Sequence, residues 1–175
     1  MRVALIDYDS GNLHSAEKAF QKMGRSAGAE IVVTSDPGIA ARADRIVLPG
    51  DGAFPACRAA LGEVDGMAEA LREAVLNRGV PFIGICVGMQ MLATTGYEYR
   101  PTAGLDWIGG EVARIDAPGL KVPHMGWNDL VIQDANPPYD LPVPGLAPDA
   151  LEKLIRIAPN DVTTLEATLR GEAQD

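Results

Sequence analysis

Phe82-Ile83-Gly84-Ile85-Cys86-Val87-Gly88-Met89-Gln90 is an apolar run that stops at a cysteine set between two glycines. Phe82–Ile85 reads as a buried strand, because it is short, apolar and preceded by the breaker Gly79-Val80-Pro81. A helix follows it. A Gly-x-Cys-x-Gly stretch at a strand-to-helix junction is the pattern of a nucleophile elbow. The turn is tight, only small neighbours fit beside it, and the central side chain is lifted over the strand ends. The helix amino terminus behind it favours a thiolate, and the Val87 amide is placed to donate to a developing oxyanion. The competing reading of Cys86 is a buried structural cysteine. Cys57 has no such setting and reads as helix packing.

Upstream lie three more short apolar runs, Val3–Ile6, Ile31–Thr34 and Arg45–Leu48. Helical segments separate them. The first covers about Leu13–Met23, with Ser10 or Asn12 as its cap and Gly24 as its stop; Ser35-Asp36-Pro37 opens a second, short one. Met67–Asn77 sets Met67, Leu71, Ala74 and Val75 on one helical face. Strands without strict alternation, separated by helices, predict an α/β fold with a mainly parallel sheet covered on both faces.

Downstream the pattern changes. Trp107–Ile115 and Leu120–Ile132 read as β-rich, with turns at Gly109-Gly110 and Pro118-Gly119. Residues 134–148 are dense in proline and read as a linker or irregular loop. Beyond them Leu151, Leu154, Ile155 and Ala158 share a helical face, and Thr163-Thr164-Leu165-Glu166 offers a capping box. The expected organisation is an incomplete α/β domain over 1–133, a linker over 134–148 and an atypical helical tail over 149–175.

The 175 residues are 47% apolar and 22% charged, the balance of a globular chain. A formal charge of −9 without a Lys/Arg run argues against a nucleic-acid backbone or an anionic membrane as partner. The opening apolar run ends at Asp7, too short for a signal-peptide core, and Phe82–Met89 is far below a membrane span. A cytoplasmic protein is expected, with Cys57 and Cys86 as reduced thiols.

Two further segments bear on chemistry. Leu48-Pro49-Gly50-Asp51-Gly52-Ala53-Phe54 ends a strand in a glycine-rich turn whose amides can form the other half of an oxyanion hole, although the motif alone is weak. Lys121-Val122-Pro123-His124-Met125-Gly126-Trp127-Asn128 carries one of the two histidines, the other being His14. Following the elbow in sequence, His124 is a candidate base for Cys86; packing, a hydrogen bond or an interface is its competing role.

Together these segments resemble the class I glutamine amidotransferases, and within them the glutaminase subunits of imidazole glycerol phosphate synthases. Residues 84–90 look like the nucleophile motif and 48–54 like the oxyanion loop. Asp7-Tyr8-Asp9-Ser10-Gly11-Asn12-Leu13 and Lys121–Asn128 look like the segments that set this subunit apart. The likeness runs from Met1 to about Leu130. It implies a flavodoxin-like, mainly parallel sheet flanked by helices. It implies that Cys86 attacks the side-chain amide of glutamine, giving a thioester and ammonia, and that water then releases glutamate. Val87 and amides near Gly50 and Asp51 would hold the oxyanion, Gly52 would keep that loop flexible, and Gln90 would help bind glutamine. No cofactor or metal is implied. Ammonia would pass to a (β/α)₈ synthase subunit in a heterodimer. Asn12, His124, Met125 and Trp127 would lie toward that partner, which makes His124 an interface residue.

The sequence departs from the family in three places. The family completes a catalytic triad with a downstream His-x-Glu pair, yet no histidine follows His124, so the triad His and Glu are absent here. Losing a triad member costs roughly 10³-fold or more, so impaired hydrolysis is expected. The segment after about Val131 has no counterpart and leaves the C-terminal strands incomplete; a frame-shifted or truncated end, a lineage-specific replacement and an artificial sequence are the competing origins. Exposed apolar faces and an edge strand would then make the monomer aggregation-prone. Asp51 stands where valine is usual, a carboxylate that would repel an oxyanion and raise the Cys86 pKa. Asp9 stands where glycine is usual, and Asp tolerates φ > 0 better than most residues. Two other functions compete: a non-catalytic pseudo-enzyme that docks on the synthase, and a DJ-1-like reactive-cysteine protein.

Overall fold

The computed structural model describes residues 1–10, 12–119 and 122. Four parallel strands form its main sheet: β1 (Arg2–Ile6), β2 (Glu30–Thr34), β3 (Arg45–Leu48) and β4 (Phe82–Gly84), in the order β2-β1-β3-β4. Val3 sits opposite Ile31 on one side and Arg45 on the other, and Ile46 opposite Phe82. Successive side chains of a strand point to opposite faces. Ala4, Ile6, Ile46, Leu48 and Phe82 therefore enter the larger core, whereas Val3, Leu5 and Val47 enter the smaller one. Both faces are buried, and for this reason the strands read as continuous apolar runs.

Helices cover the two faces unequally. On the smaller core lies α1 (Leu13–Gly24), through Leu13, Ala16 and Phe20. The larger core is built with α2 (Pro37–Ala41), α3 (Phe54–Glu63) and α4 (Met67–Arg72), the last continuing into a π-helical turn over Glu73–Asn77. Met67, Leu71, Ala74 and Val75 are all buried there, as their spacing predicts. Of the two cap candidates for α1, Asn12 serves: its side chain accepts from the Ser15 amide at 3.2 Å. Gly24 is the last residue of α1, one past the expected Met23. It keeps helical torsions, a 3₁₀ turn over Arg25–Ala27 follows, and the chain leaves at Gly28 with φ +60°. The left-handed terminus that ends helices belongs to Gly28.

After α5 (Val87–Gln90), a three-stranded sheet follows, made of β5 (Ala93–Gly96), β6 (Thr102–Ala103) and β7 (Ile108–Val112) in the order β6-β5-β7. The expected β-rich stretch 107–115 is represented by β7; β5 and β6 were not anticipated. Trp107 meets Phe82 edge to face, with ring centroids 5.3 Å apart, and so joins the two sheets. The expected strands over Leu120–Ile132, the linker over 134–148 and the tail over 149–175 lie outside the described residues, Val122 apart. Among the described residues no helix is long and apolar enough to cross a membrane.

Candidate active site

The strand order reverses beside β1: β2 lies on one side, β3 and β4 on the other. Such a switch point opens a crevice beyond the carboxyl ends of the strands, where ligands of doubly wound sheets bind. Three connections reach it here, residues 7–10 after β1, 49–53 after β3 and the turn at Cys86 after β4.

Cys86 is exposed and has φ +55°, ψ −121°, torsions an L-residue holds only under constraint, at a cost of order 1–3 kcal/mol. Three glycines supply the constraint by letting backbones touch. A Cβ on Gly84 would lie 2.6 Å from Met89 Cα, and one on Gly88 would lie 2.0 Å from the Leu48 carbonyl oxygen. A Cβ on Gly50 would lie 2.3 Å from Gly88 N and 2.8 Å from the Val87 carbonyl carbon. The turn after β3 thus packs backbone to backbone against the elbow. Gly50, Asp51 and Gly52 are brought to the same place as Cys86 and Val87. The Ile85 amide donates to the Leu48 carbonyl at 2.9 Å, and the amides of Met89 and Gln90 donate to the Cys86 carbonyl at 2.9 and 3.1 Å. One expectation needs correction: α5 is a single turn of four residues, too short for the aligned dipoles of a full helix. Local amides remain as the electrostatic support. Gln90 ends that turn and is half-buried.

Within the 49–52 turn, Pro49 and Gly50 are buried, Asp51 and Gly52 exposed, and Gly52 has φ +116°. Its carbonyls are held from the core. Tyr8, 2% exposed, donates its phenol to the Pro49 carbonyl. Ser10 Oγ donates to the Asp51 carbonyl at 3.1 Å. Cys57 Sγ, in the first turn of α3, lies 3.1 Å from Ser10 Oγ and donates to the Asp51 carbonyl at 3.5 Å. The reading of Cys57 as helix packing is therefore incomplete, since its buried thiol also contacts the candidate oxyanion turn. Burial pushes the Tyr8 phenol well above its ordinary range, Ser10 opposes that shift, and nearby Cys57 and Cys86 add to it. Nothing local in the sequence marks Tyr8 or Ser10 as a support of this turn, because the partners are 41 residues apart.

The second sheet supports the same region. Glu98, between β5 and β6, accepts the Phe54 amide at 2.6 Å and satisfies an amino-terminal donor of α3. Gly96 makes room for the Phe54 ring, which a Cβ would approach to 2.6 Å. Asp9 has φ +60°, the region in which its replacement of glycine matters, and its amide donates to Asp7 Oδ1 at 3.2 Å. Asn12 is exposed at the start of α1, and His14 is exposed on that helix. His124, Met125 and Trp127 lie outside the described residues. Among the described residues no group of His, Cys, Asp and Glu is arranged to hold a metal ion, and no disulfide joins Cys57 to Cys86.

The sequence profile of the family described as glutamine amidotransferase class-I matches residues 4–164. The chain is 63% identical over 143 residues to a protein of Ruegeria pomeroyi named imidazole glycerol phosphate synthase subunit HisH, covering 80% of this chain and 68% of that protein. Proteins of the same name from Cereibacter sphaeroides and Rhodospirillum rubrum are 62% identical over 140 residues and 58% identical over 137 residues. These alignments cover 78% and 76% of this chain, and 66% and 64% of the respective relatives. The chain thus spans about two thirds of the length of the relatives it matches.

Proposed function

The chain belongs to the class I glutamine amidotransferases, in the HisH group, and on that premise we propose that it hydrolyses glutamine to supply ammonia for histidine biosynthesis. The observation that supports this most is the backbone contact between Gly50 and the Val87–Gly88 peptide, which surrounds an exposed cysteine with two amide-bearing turns. The Cys86 thiolate adds to the side-chain amide carbon of glutamine. The resulting oxyanion is met by the amide of Val87 and by amides of the 50–52 turn. As that intermediate collapses, the departing nitrogen takes the proton given up by the Cys86 thiol, so that ammonia leaves and a thioester remains. Water then attacks the thioester, glutamate departs and the thiol is restored. Gln90 helps hold glutamine. The ammonia is delivered to a (β/α)₈ synthase subunit, which docks on the side carrying Asn12, His124, Met125 and Trp127. The reaction takes place in the cytoplasm.

A second reading has its own support. No His-x-Glu pair follows His124 in this sequence, and among the described residues the one imidazole is that of His14 on the exposed side of α1. The competing reading is a subunit that docks on the synthase with little hydrolysis of its own. Glutamate release from glutamine decides between the two. It is measured with and without the synthase subunit, with Cys86→Ala as blank. Turnover above the blank supports the hydrolytic reading. A folded chain that binds the synthase in a titration but releases no glutamate leaves the docking role alone.

A further inference from the structure

The smaller-core face of the main sheet carries Ile31 and Val33 of β2, Val3 and Leu5 of β1, Val47 of β3 and Ile83 of β4, with Ile85 just beyond. Arg45 shares that face, because side chains alternate along a strand and Ile46 and Leu48 enter the larger core. Among the described residues α1 is the one helix in this cluster, through Leu13, Ala16 and Phe20, and it packs chiefly on β2. No described helix covers the half of the face over β3 and β4, where Ile83 and Ile85 are only half-buried. Ile83 lies level with Val47 and Ile85 two residues further along, so the open strip from Arg45 to Ile85 is about 13 Å long. Arg45, at its amino end, is exposed and donates from Nε to Met1 Sδ at 3.1 Å. Among the described residues no carboxylate pairs with it.

A half-face of a parallel sheet needs apolar cover, and the sequence holds a matching segment. Leu151, Leu154, Ile155 and Ala158 form a stripe at helical spacing, and eight residues of helix are about 12 Å long. Pro159 ends such a helix, and Asp161 sets a carboxylate three positions past Ala158. The 26 residues 123–148 reach up to about 85 Å when extended, several times the ~13 Å radius of gyration of a domain of this size. We propose that residues 151–158 dock as a helix on the strip formed by β3 and β4. The helix runs antiparallel to those strands: Leu151 lies toward Ile85, Leu154 and Ile155 over Ile83 and Val47, and Asp161 toward Arg45. Length, apolar spacing and charge all match in this direction. The reverse direction would leave Arg45 facing the amino end of the helix, where its charge is unfavourable. The inference goes beyond the glutaminase reading and does not depend on it.

The test uses the full chain with isotope-labelled isoleucine and leucine methyl groups. Nuclear Overhauser contacts are expected from Ile85 to Leu151 and from Ile83 to Leu154 and Ile155, within one molecule. A mixture of labelled and unlabelled chains separates these from contacts between copies. The second readout is hydrogen exchange at the Ile85 amide, which donates to the Leu48 carbonyl at 2.9 Å. Leu154→Asp should speed that exchange about tenfold or more, as the loss of one buried leucine implies for local opening. Lys153→Ala, off the apolar stripe, should leave it unchanged. Should Leu154→Asp not fold, the wild-type methyl contacts decide alone. A folded monomer without these contacts overturns the inference. Contacts found only between copies overturn it in favour of a second chain as the cover, and contacts in the reverse order overturn the antiparallel placement. A pure wild-type chain that aggregates has left the strip open, and overturns it too.

Discussion

At Gly50 a methyl group has nowhere to go. Its Cβ would lie 2.3 Å from Gly88 N and 2.9 Å from Val87 Cβ, and the nearest of these atoms is backbone that cannot swing aside. Gly50→Ala is therefore expected to cost about 3 kcal/mol or more in urea unfolding, at the upper end of overpacking penalties. Gly109→Ala, where nothing lies within 4 Å, is the matched control, with an effect near zero or mildly stabilising. Tyr8 gives a prediction in pH. Burial raises its phenol above the ordinary 10.0, so the folded chain holds this proton more tightly than the unfolded one. The resulting stability is fully present below pH 10 and is lost as the pH climbs through the folded-state value. Wild-type Tm should fall above about pH 10, and Tyr8→Phe should flatten that part of the fall. At neutral pH the same variant should lose about 1–3 kcal/mol, because the Pro49 carbonyl is left without its donor.

At the scale of elements, Asn12 separates two duties. Its side chain caps α1 through the Ser15 amide, so Asn12→Ala is expected to cost about 1 kcal/mol in urea unfolding, whereas Asn12→Asp keeps the cap. A loss of synthase binding in Asn12→Asp at unchanged stability would assign this position to the interface as well. The same elements show what a sequence carries on its surface. β1 to β4 were legible because each is a short apolar run bounded by polar or breaker residues. The elbow was legible because both of its glycines are local. By contrast β5, Ala93-Thr94-Thr95-Gly96, has little apolar content, and β6 is two residues long. Their pairing depends on partners elsewhere in the chain, which no periodicity announces. α1 ends at Gly24, close to its expected end, whereas the left-handed turn falls at Gly28; torsion alone distinguishes the two glycines. The contact of Ser10 with the Asp51 carbonyl was invisible for the same reason as β5: it joins residues 41 apart in the chain.

For the whole molecule, the central question is whether the two sheets act as one body. Phe82 belongs to β4 and Trp107 precedes β7, and their edge-to-face contact is buried on both sides. Phe82→Ala is expected to cost about 3–5 kcal/mol. Tryptophan fluorescence and far-ultraviolet circular dichroism should still trace one coincident transition; two separate transitions would mean that the sheets unfold independently. Among the described residues β4 is hydrogen-bonded to β3 alone, so it is the strand that most needs cover. The order of the main sheet has a further consequence, in time rather than in space. Among the described residues all four of its strands come from the first 84 positions, and the described turns beside Cys86 are complete by Gln90. Domains begin to assemble from the amino terminus while synthesis continues. The pieces around the nucleophile therefore leave the ribosome together, ahead of the second sheet that will brace them.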